Sequence, residues 1–469
     1  MRKTKIVCTL GPATETLETI SEIINKGTNI IRLNMSHASH EWVRKVYGIV
    51  REVAAKSDRE IGVLMDLTGP SIRTGDLDSP WQLKVGDVVE FRCKNEYQST
   101  THYSVGVNYP DLGKDLQIGD IINVDGGMIQ IKATEVNHRS VVGNVLTDGE
   151  MKSRRHINLP GVPVRLPPLT QKDYADLDLG IELGMDYFAL SFAREPAHIQ
   201  HLQLLIEQKK SKARVIAKIE NQQALENLDA LVDASAGIMV ARGDLGSECP
   251  IEELPLIQRR IVERCSYHGR KVIVATQMLE SMIENPVPTR AEVTDIFNAV
   301  IEQVDCVMLS GETSVGKYPE KCVEVLDTVI SRIEQKYPSG RFASDAPLKT
   351  NKHKTVKAAT VLANSIPESK LLVFTLRGVM AHLLAHQRPE VAPIFAFTPN
   401  QHVSRTLVSA RGVHPFVMNY TEGNPEETIR DAIDLLRKNG LVKTGDPLVI
   451  LSDALYEGEN TDSILLREV

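Results

Sequence analysis

Val215-Ile216-Ala217-Lys218-Ile219-Glu220-Asn221 is an apolar run that ends on a charged pair, and Gly237-Ile238-Met239-Val240-Ala241-Arg242-Gly243-Asp244 repeats the device. Both read as strands of one series. Working outward, residues 5–10, 29–33, 62–65 and 187–190 precede them, and 271–275 and 306–309 follow. Amphipathic stretches with helical spacing lie between most of these runs, at 16–25, 41–55, 196–208, 253–267 and 290–303. Thr14 is a candidate cap for the first helix and Gly27 its stop, and Thr289 with Glu292 makes a capping box. Eight strands with intervening helices count to a (β/α)8 barrel of the α/β class. The rival doubly wound sheet usually announces a Gly-rich first turn, and here that turn reads Gly11-Pro12-Ala13.

About a hundred residues separate the third strand from the helix near Gln171, too many for a plain loop. Turn signals such as Val85-Gly86-Asp87 and Asp125-Gly126-Gly127 separate short β-prone runs there, so the insert reads as a small β-barrel lid. After Tyr337-Pro338-Ser339-Gly340 and a polar linker, strands at 371–374, 394–397 and 448–451 alternate with helices. The expected organisation is a catalytic barrel over 1–69 and 168–340, an inserted β lid over 70–167, and a C-terminal α/β domain over 350–469.

The 469 residues are 42% hydrophobic and 25% charged, which excludes disordered and collagen-like classes. A net charge of −7 argues against a nucleic-acid partner. No apolar stretch reaches the roughly 18 residues that cross a bilayer, and the amino-terminal segment lacks a signal-peptide core. The six cysteines never form Cys-x-x-Cys, so a reducing, cytoplasmic location is expected.

In such a barrel the residues just past the C-terminal strand ends converge on one mouth. Here those ends carry Arg32, Asn34 and Ser36, then Asp66, Lys218 and Glu220, Arg242 and Asp244, Thr276, and finally Ser310 and Glu312. A single charged strand end is ordinarily a solvated rim. Acids and bases on five neighbouring ends are a site. Lys218 and Glu220 alternate in a strand and so share a face. Their blander reading is a structural ion pair, and for Ser310 a helix cap. Two carboxylates, Glu220 and Asp244, suit a Mg²⁺ ion completed by water and substrate oxygens. Lys152, Arg154 and Arg155 on the insert are a solvated turn or, over an anion-binding mouth, a phosphate clamp.

Residues 4–13, Arg32-Leu33-Asn34-Met35-Ser36-His37, the Lys218 and Asp244 segments, Ala275-Thr276-Gln277-Met278-Leu279-Glu280-Ser281-Met282 and Met308-Leu309-Ser310-Gly311-Glu312-Thr313 together resemble the pyruvate kinase family. The resemblance implies Mg²⁺- or Mn²⁺-dependent phosphoryl transfer from phosphoenolpyruvate to ADP, giving pyruvate and ATP, in a homotetramer whose lid closes over the barrel mouth. It implies that Glu220 and Asp244 hold the divalent ion and that Lys218 meets charge on the phosphoryl group in flight. Arg32 and Arg73 grip phosphate oxygens, and Arg73 with Arg154 faces the nucleotide. By the same resemblance Gly243 and Thr276 would orient the substrate carboxylate, with Thr276 near the path that protonates the enolate. Asn34, Ser36, Asp66 and the Leu67 carbonyl match the family's K⁺ ligands. A metal-dependent aldolase or a non-catalytic metabolite sensor are the rival readings, and the retained Lys218, Glu220, Asp244, Thr276 and Arg73 weigh against both.

The chain departs from the family pattern in three places. Arg154 stands for the lid Lys, which keeps charge but changes geometry. The stretch after the third strand reads Asp66-Leu67-Thr68-Gly69-Pro70-Ser71-Ile72-Arg73, where Ser71 is neither the Glu that accompanies K⁺ dependence nor the Lys that accompanies independence, so weak K⁺ stimulation is expected. Sugar-phosphate-activated members place Ser, Thr or Lys in the loop that here reads Thr375-Leu376-Arg377-Gly378-Val379-Met380. The side chains of Leu376, Val379 and Met380 cannot donate to a phosphate and Arg377 alone makes a poor cradle, so no strong activation by fructose 1,6-bisphosphate is expected.

Overall fold

The computed structural model describes residues 1–57, 59–93, 101–337, 346–390, 392–453 and 462–469. The expected linker's Pro338-Ser339-Gly340 lies outside the described residues. Strands Lys5–Thr9, Ile30–Asn34, Gly62–Asp66, Tyr187–Leu190, Arg214–Ile219, Gly237–Ala241, Lys271–Ala275 and Cys306–Leu309 close into a parallel barrel in chain order. The last pairs with the first, Cys306 opposite Lys5.

These strands read as continuous apolar runs because both faces are buried. Ile6, Ile31, Val63, Phe188, Val215, Ile238, Val272 and Val307 face the surrounding helices. Val7, Ile30, Leu64, Ala189, Ile216, Met239, Ile273 and Met308 fill the lumen. With a period of two, the next lumen positions toward the C-terminal end are Thr9, Arg32, Asp66, Ser191 and Lys218. One face of each strand thus turns from hydrocarbon to polar groups at the mouth.

Local signals set most helix ends. The Thr289–Glu292 capping box is present, and Gly184 and Gly269 end their helices with φ of 72° and 65°. Thr14 does not cap the first helix. Thr16 does, accepting from the Thr19 amide, because Thr14 is drawn into the barrel wall, where its hydroxyl donates to the Thr313 carbonyl at 2.8 Å. Ser310 stands before the short helix Gly311–Ser314, but its hydroxyl caps nothing there. The Glu312 carboxylate takes the Ser310 amide instead, at 2.6 Å.

The insert forms a seven-stranded sheet around a core including Val89, Phe91, Ile122, Ile131 and Val141. A bridge between Thr74 and Val107 joins its two edges, so it curls into a small barrel. It touches the main barrel through Asn123, which donates to the Ser247 carbonyl, and Asn158, which donates to the Glu248 carboxylate. The C-terminal sheet runs Val413–Val417, Ile394–Thr398, Lys370–Phe374, Pro447–Ser452 and Ser463–Glu468, the last strand antiparallel. This domain covers the base of the barrel, where Val408 joins the lumen cluster. A Cβ at Gly62 would lie 3.0 Å from the Val408 side chain, so glycine there permits the close approach.

Candidate active site

At the mouth, Lys218 is the centre of a buried charge cluster. Its Nζ lies 2.7 Å from Glu220 Oε1, 2.7 Å from Ser191 Oγ and 3.4 Å from Asp66 Oδ1. Arg32 grips the other Asp66 oxygen through Nε and Nη2, both at 2.7 Å, and donates to Thr9 at 3.0 Å. Burial opposes the Asp66 charge, but Lys218 and Arg32 outweigh it and hold the carboxyl below its ordinary value. Burial likewise opposes the Lys218 charge, and Asp66 and Glu220 keep it above the ordinary lysine value. Lys218 is therefore a fixed cation. Glu220 is pushed up, first by burial and then by the facing Asp244, against the pull of Lys218.

A cation shared with Asp244 relieves the cost of ionising Glu220, and hard oxygen donors suit Mg²⁺. Among the described residues no group of three or more His, Cys, Asp or Glu is arranged to hold a metal. The Glu220–Asp244 pair presents two hard carboxylates to the cavity, a donor set that would suit such an ion with substrate and water completing its shell. Asn34, Ser36 and Thr68 add further oxygens, and the Thr68 hydroxyl is buried with no hydrogen-bond partner among the described residues.

Arg32, Asn34, Ser36, Arg73, Lys218, Glu220 and Asp244 line one cavity of about 180 Å³. Asp66 lies beneath it, 1% exposed. The Leu67 side chain is buried, while its carbonyl accepts from Ser191 at 2.7 Å. Gly243 and Thr276 sit together at an adjacent strand end, the Gly243 amide donating to Thr276 Oγ1 at 3.0 Å. Arg154 stands apart. Its side chain is exposed on Asp76 at 2.7 Å, while its carbonyl receives Arg73 Nη1 at 3.1 Å.

The cavity also includes Ser71, already singled out beside the K⁺ ligands, and His156, Ser191 and Phe192, which the strand-end reading missed. Ser191 was recoverable, being the lumen-facing residue after the fourth strand. His156 arrives from the lid, paired opposite Arg73, and no local pattern marks it. Phe192 has φ of 53°, which aims its amide at Glu220 Oε2, 2.5 Å away. Thr276 and Gln277 also adopt positive φ, 69° and 57°. Such conformations persist only where surroundings enforce them, and here Arg242 does so. Anchored on Asp295 at 2.7 Å, it donates to the Thr276 carbonyl at 2.5 Å. Arg242 and Glu312 thus serve the frame, Glu312 bonding the Leu279 and Ser310 amides.

Residues 1–323 match the family description "Pyruvate kinase, barrel domain" and residues 353–465 match "Pyruvate kinase, alpha/beta domain". Plastidial pyruvate kinase 2 of Arabidopsis thaliana is 40% identical over 475 residues, covering all of this chain and 81% of the relative. A pyruvate kinase of Bacillus licheniformis is 36% identical, covering 98% of this chain and 80% of the relative. The crystal structure of a pyruvate kinase from Cryptosporidium parvum superposes with a TM-score of 0.93 at 33% identity, covering 99% of this chain and 96% of that one.

Proposed function

The chain belongs to the pyruvate kinase family, and from that premise we propose how its residues divide the work. The activity is glycolytic phosphoryl transfer from phosphoenolpyruvate to ADP, giving pyruvate and ATP. The family generally depends on Mg²⁺ and K⁺. Such a transfer asks a protein mainly for positioning and charge neutralisation.

The observation that carries the assignment of roles is the Lys218 ammonium fixed between Asp66, Glu220 and Ser191 at the floor of the cavity that Asp244 also lines. Lys218 and Arg32 offer preset positive charge where the phosphoryl group passes, with no reorganisation needed at the moment of reaction. Glu220 and Asp244 hold the divalent ion, which when bound neutralises phosphoryl oxygens. Gly243 and Thr276 receive the substrate carboxylate, and Thr276 stands near the protonation path of the enolate. Asn34, Ser36, Asp66 and the Leu67 carbonyl form the K⁺ site, which Ser71 leaves without the flanking charge that sets the ion's importance.

Arg73 lies on a lid strand and also lines the cavity, so lid closure carries it onto the nucleotide phosphates, with Arg154 at the rim. A neighbouring cavity of about 440 Å³ shares Asn34 and is walled by Leu10, Pro12, His37, Trp42 and Val315. It is the apolar seat for the base and ribose of ADP. The working divisions are 1–69 with 168–340 as catalytic barrel, 70–167 as lid and 350–469 as C-terminal domain, assembled as a homotetramer.

Relatives include plastidial and bacterial forms. No helix among the described residues is long and apolar enough to cross a membrane. All six cysteines are free, which supports a reducing location and the cytoplasmic reading. A coupled pyruvate assay with phosphoenolpyruvate, ADP and Mg²⁺ tests the reading. Activity that survives unchanged in both Glu220→Ala and Asp244→Ala would remove them as ion ligands.

A further inference from the structure

A second polar cavity, of about 370 Å³, opens at the other end of the barrel. Its walls are the amino-terminal ends of the strands beginning at Arg214, Gly237 and Lys271. Three cations line it: Lys212, Arg214 and Arg270. The acids nearby do not answer them. Glu207 is the lining acid and is exposed. The Asp186 carboxylate is engaged by Arg51 and Arg405, each at 2.9 Å, and the Asp233 carboxylate by His268 at 2.7 Å. Arg270 Nη2 reaches only the Asp233 backbone carbonyl, and its buried Nε has no partner among the described residues. The Arg214 side chain has neither ion pair nor hydrogen bond among the described residues.

The floor adds an independent signal. Ser235 is 2% exposed, lines the cavity, and its hydroxyl has no hydrogen-bond partner among the described residues. Buried hydroxyls are ordinarily satisfied, and this one, closed off behind the cavity wall, gains an acceptor from a ligand once the wall opens by a side-chain shift. Two guanidinium forks, one ammonium and a hydroxyl form the donor set that recognises a dianionic group, and the volume falls in the small-molecule range.

We propose that this basal cavity binds a small organic phosphate ester, distinct from the substrates at the mouth. It lies beside the C-terminal domain. His402 is 3.0 Å from the Lys212 carbonyl, and Lys271, the residue after Arg270, bonds Ser409 at 2.6 Å. After burial and Lys271, the Arg214 charge is the next cause holding the His382 ring below its ordinary value, with Arg270 contributing.

The test is calorimetric titration of the full chain with glycerol 3-phosphate, a hexose monophosphate, inorganic phosphate and succinate. A phosphate ester should bind saturably, and binding should persist in the active-site variant Arg32→Gln. Arg214 has no ion-pair or hydrogen-bond partner for its side chain among the described residues, so Arg214→Gln removes its charge without orphaning another described group. That variant should weaken binding by about ten- to a hundredfold, the usual loss of a charged hydrogen bond, while kcat stays unchanged. Ser235→Ala gives a smaller, separate loss. The proposal is overturned if no ester binds below about 10 mM, if Arg32→Gln abolishes binding, if Arg214→Gln leaves it intact, or if succinate binds better than every ester.

Discussion

Apart from the open basal cavity of Lys212, Arg214 and Arg270, the two ends of the barrel carry the same kinds of charged pair and use them oppositely. At the base, Asp305 meets Arg388 through two bonds of 2.8 Å, and Glu334 meets Arg411 at 3.0 Å, with a whole domain covering both pairs. At the mouth, Lys218, Arg32, Asp66 and Glu220 are also paired, yet they border a cavity that a second carboxylate, Asp244, shares. The base pairs satisfy each other and hold domains together. The mouth cluster holds charge in place for something that arrives. Positive φ occurs at both ends, at Phe192, Thr276 and Gln277 around the mouth and at Gln303 (59°) and Arg388 (51°) around the base, so backbone strain does not separate them.

Breaking the base should cost stability and little else. Asp305→Ala leaves Arg388 buried and unpaired, so urea denaturation should show a loss of about 3–5 kcal/mol with the KM for phosphoenolpyruvate unchanged. Breaking the mouth should do the reverse. Lys218→Met should lower kcat by roughly 10²–10³ or more while substrate binding largely persists, measured by steady-state kinetics on protein verified as folded. Near-normal kcat would place Lys218 with the base pairs.

Acid separates the ends by degree. Arg388, working against burial, holds the Asp305 carboxyl down to about 2 from an ordinary 3.8. A carboxyl depressed in the folded state contributes stability above its unfolded pKa and loses it as pH falls through the folded value. About 2 kcal/mol should therefore disappear between pH near 4 and pH near 2, and Asp305→Asn should flatten that part of the denaturation profile.

The smallest effect sharpens the mouth itself. Ser71 brings no charge beside the Asn34, Ser36 and Leu67 oxygens, its hydroxyl instead accepting from Arg73 Nε at 3.1 Å. Activity in K⁺-free buffer should be measurable and rise modestly with K⁺, and Ser71→Lys should abolish that rise. An absolute K⁺ requirement would contradict this assignment. Fructose 1,6-bisphosphate should not activate strongly, and a large left shift of the phosphoenolpyruvate curve would contradict that.

Much of the mouth was legible because strand alternation is a strong constraint. Once Ile216 is in the lumen, Lys218 and Glu220 follow on the same face. Ser191 obeys the same rule and was overlooked because Leu190-Ser191-Phe192 shows no charge. His156 and Arg154 were not separable by pattern, since Arg154 lies in a lid turn while His156, two residues on, begins the strand that pairs with Arg73. Thr14 and Thr16 are equally good caps on paper, and only the pull of the Thr313 carbonyl on Thr14 decides between them.

The sequence by itself determined the eight strands, their closure and the charged strand ends, because burial on both faces and a period of two write themselves into local composition. Tertiary structure alone decided which charges serve the frame and which face a ligand. Asp305 and Arg388 lie far apart in the chain, as do Lys218 and Asp66, and nothing local tells a satisfied pair from an open one. That difference rests on what covers each pair: a folded domain at the base, and a cavity at the mouth.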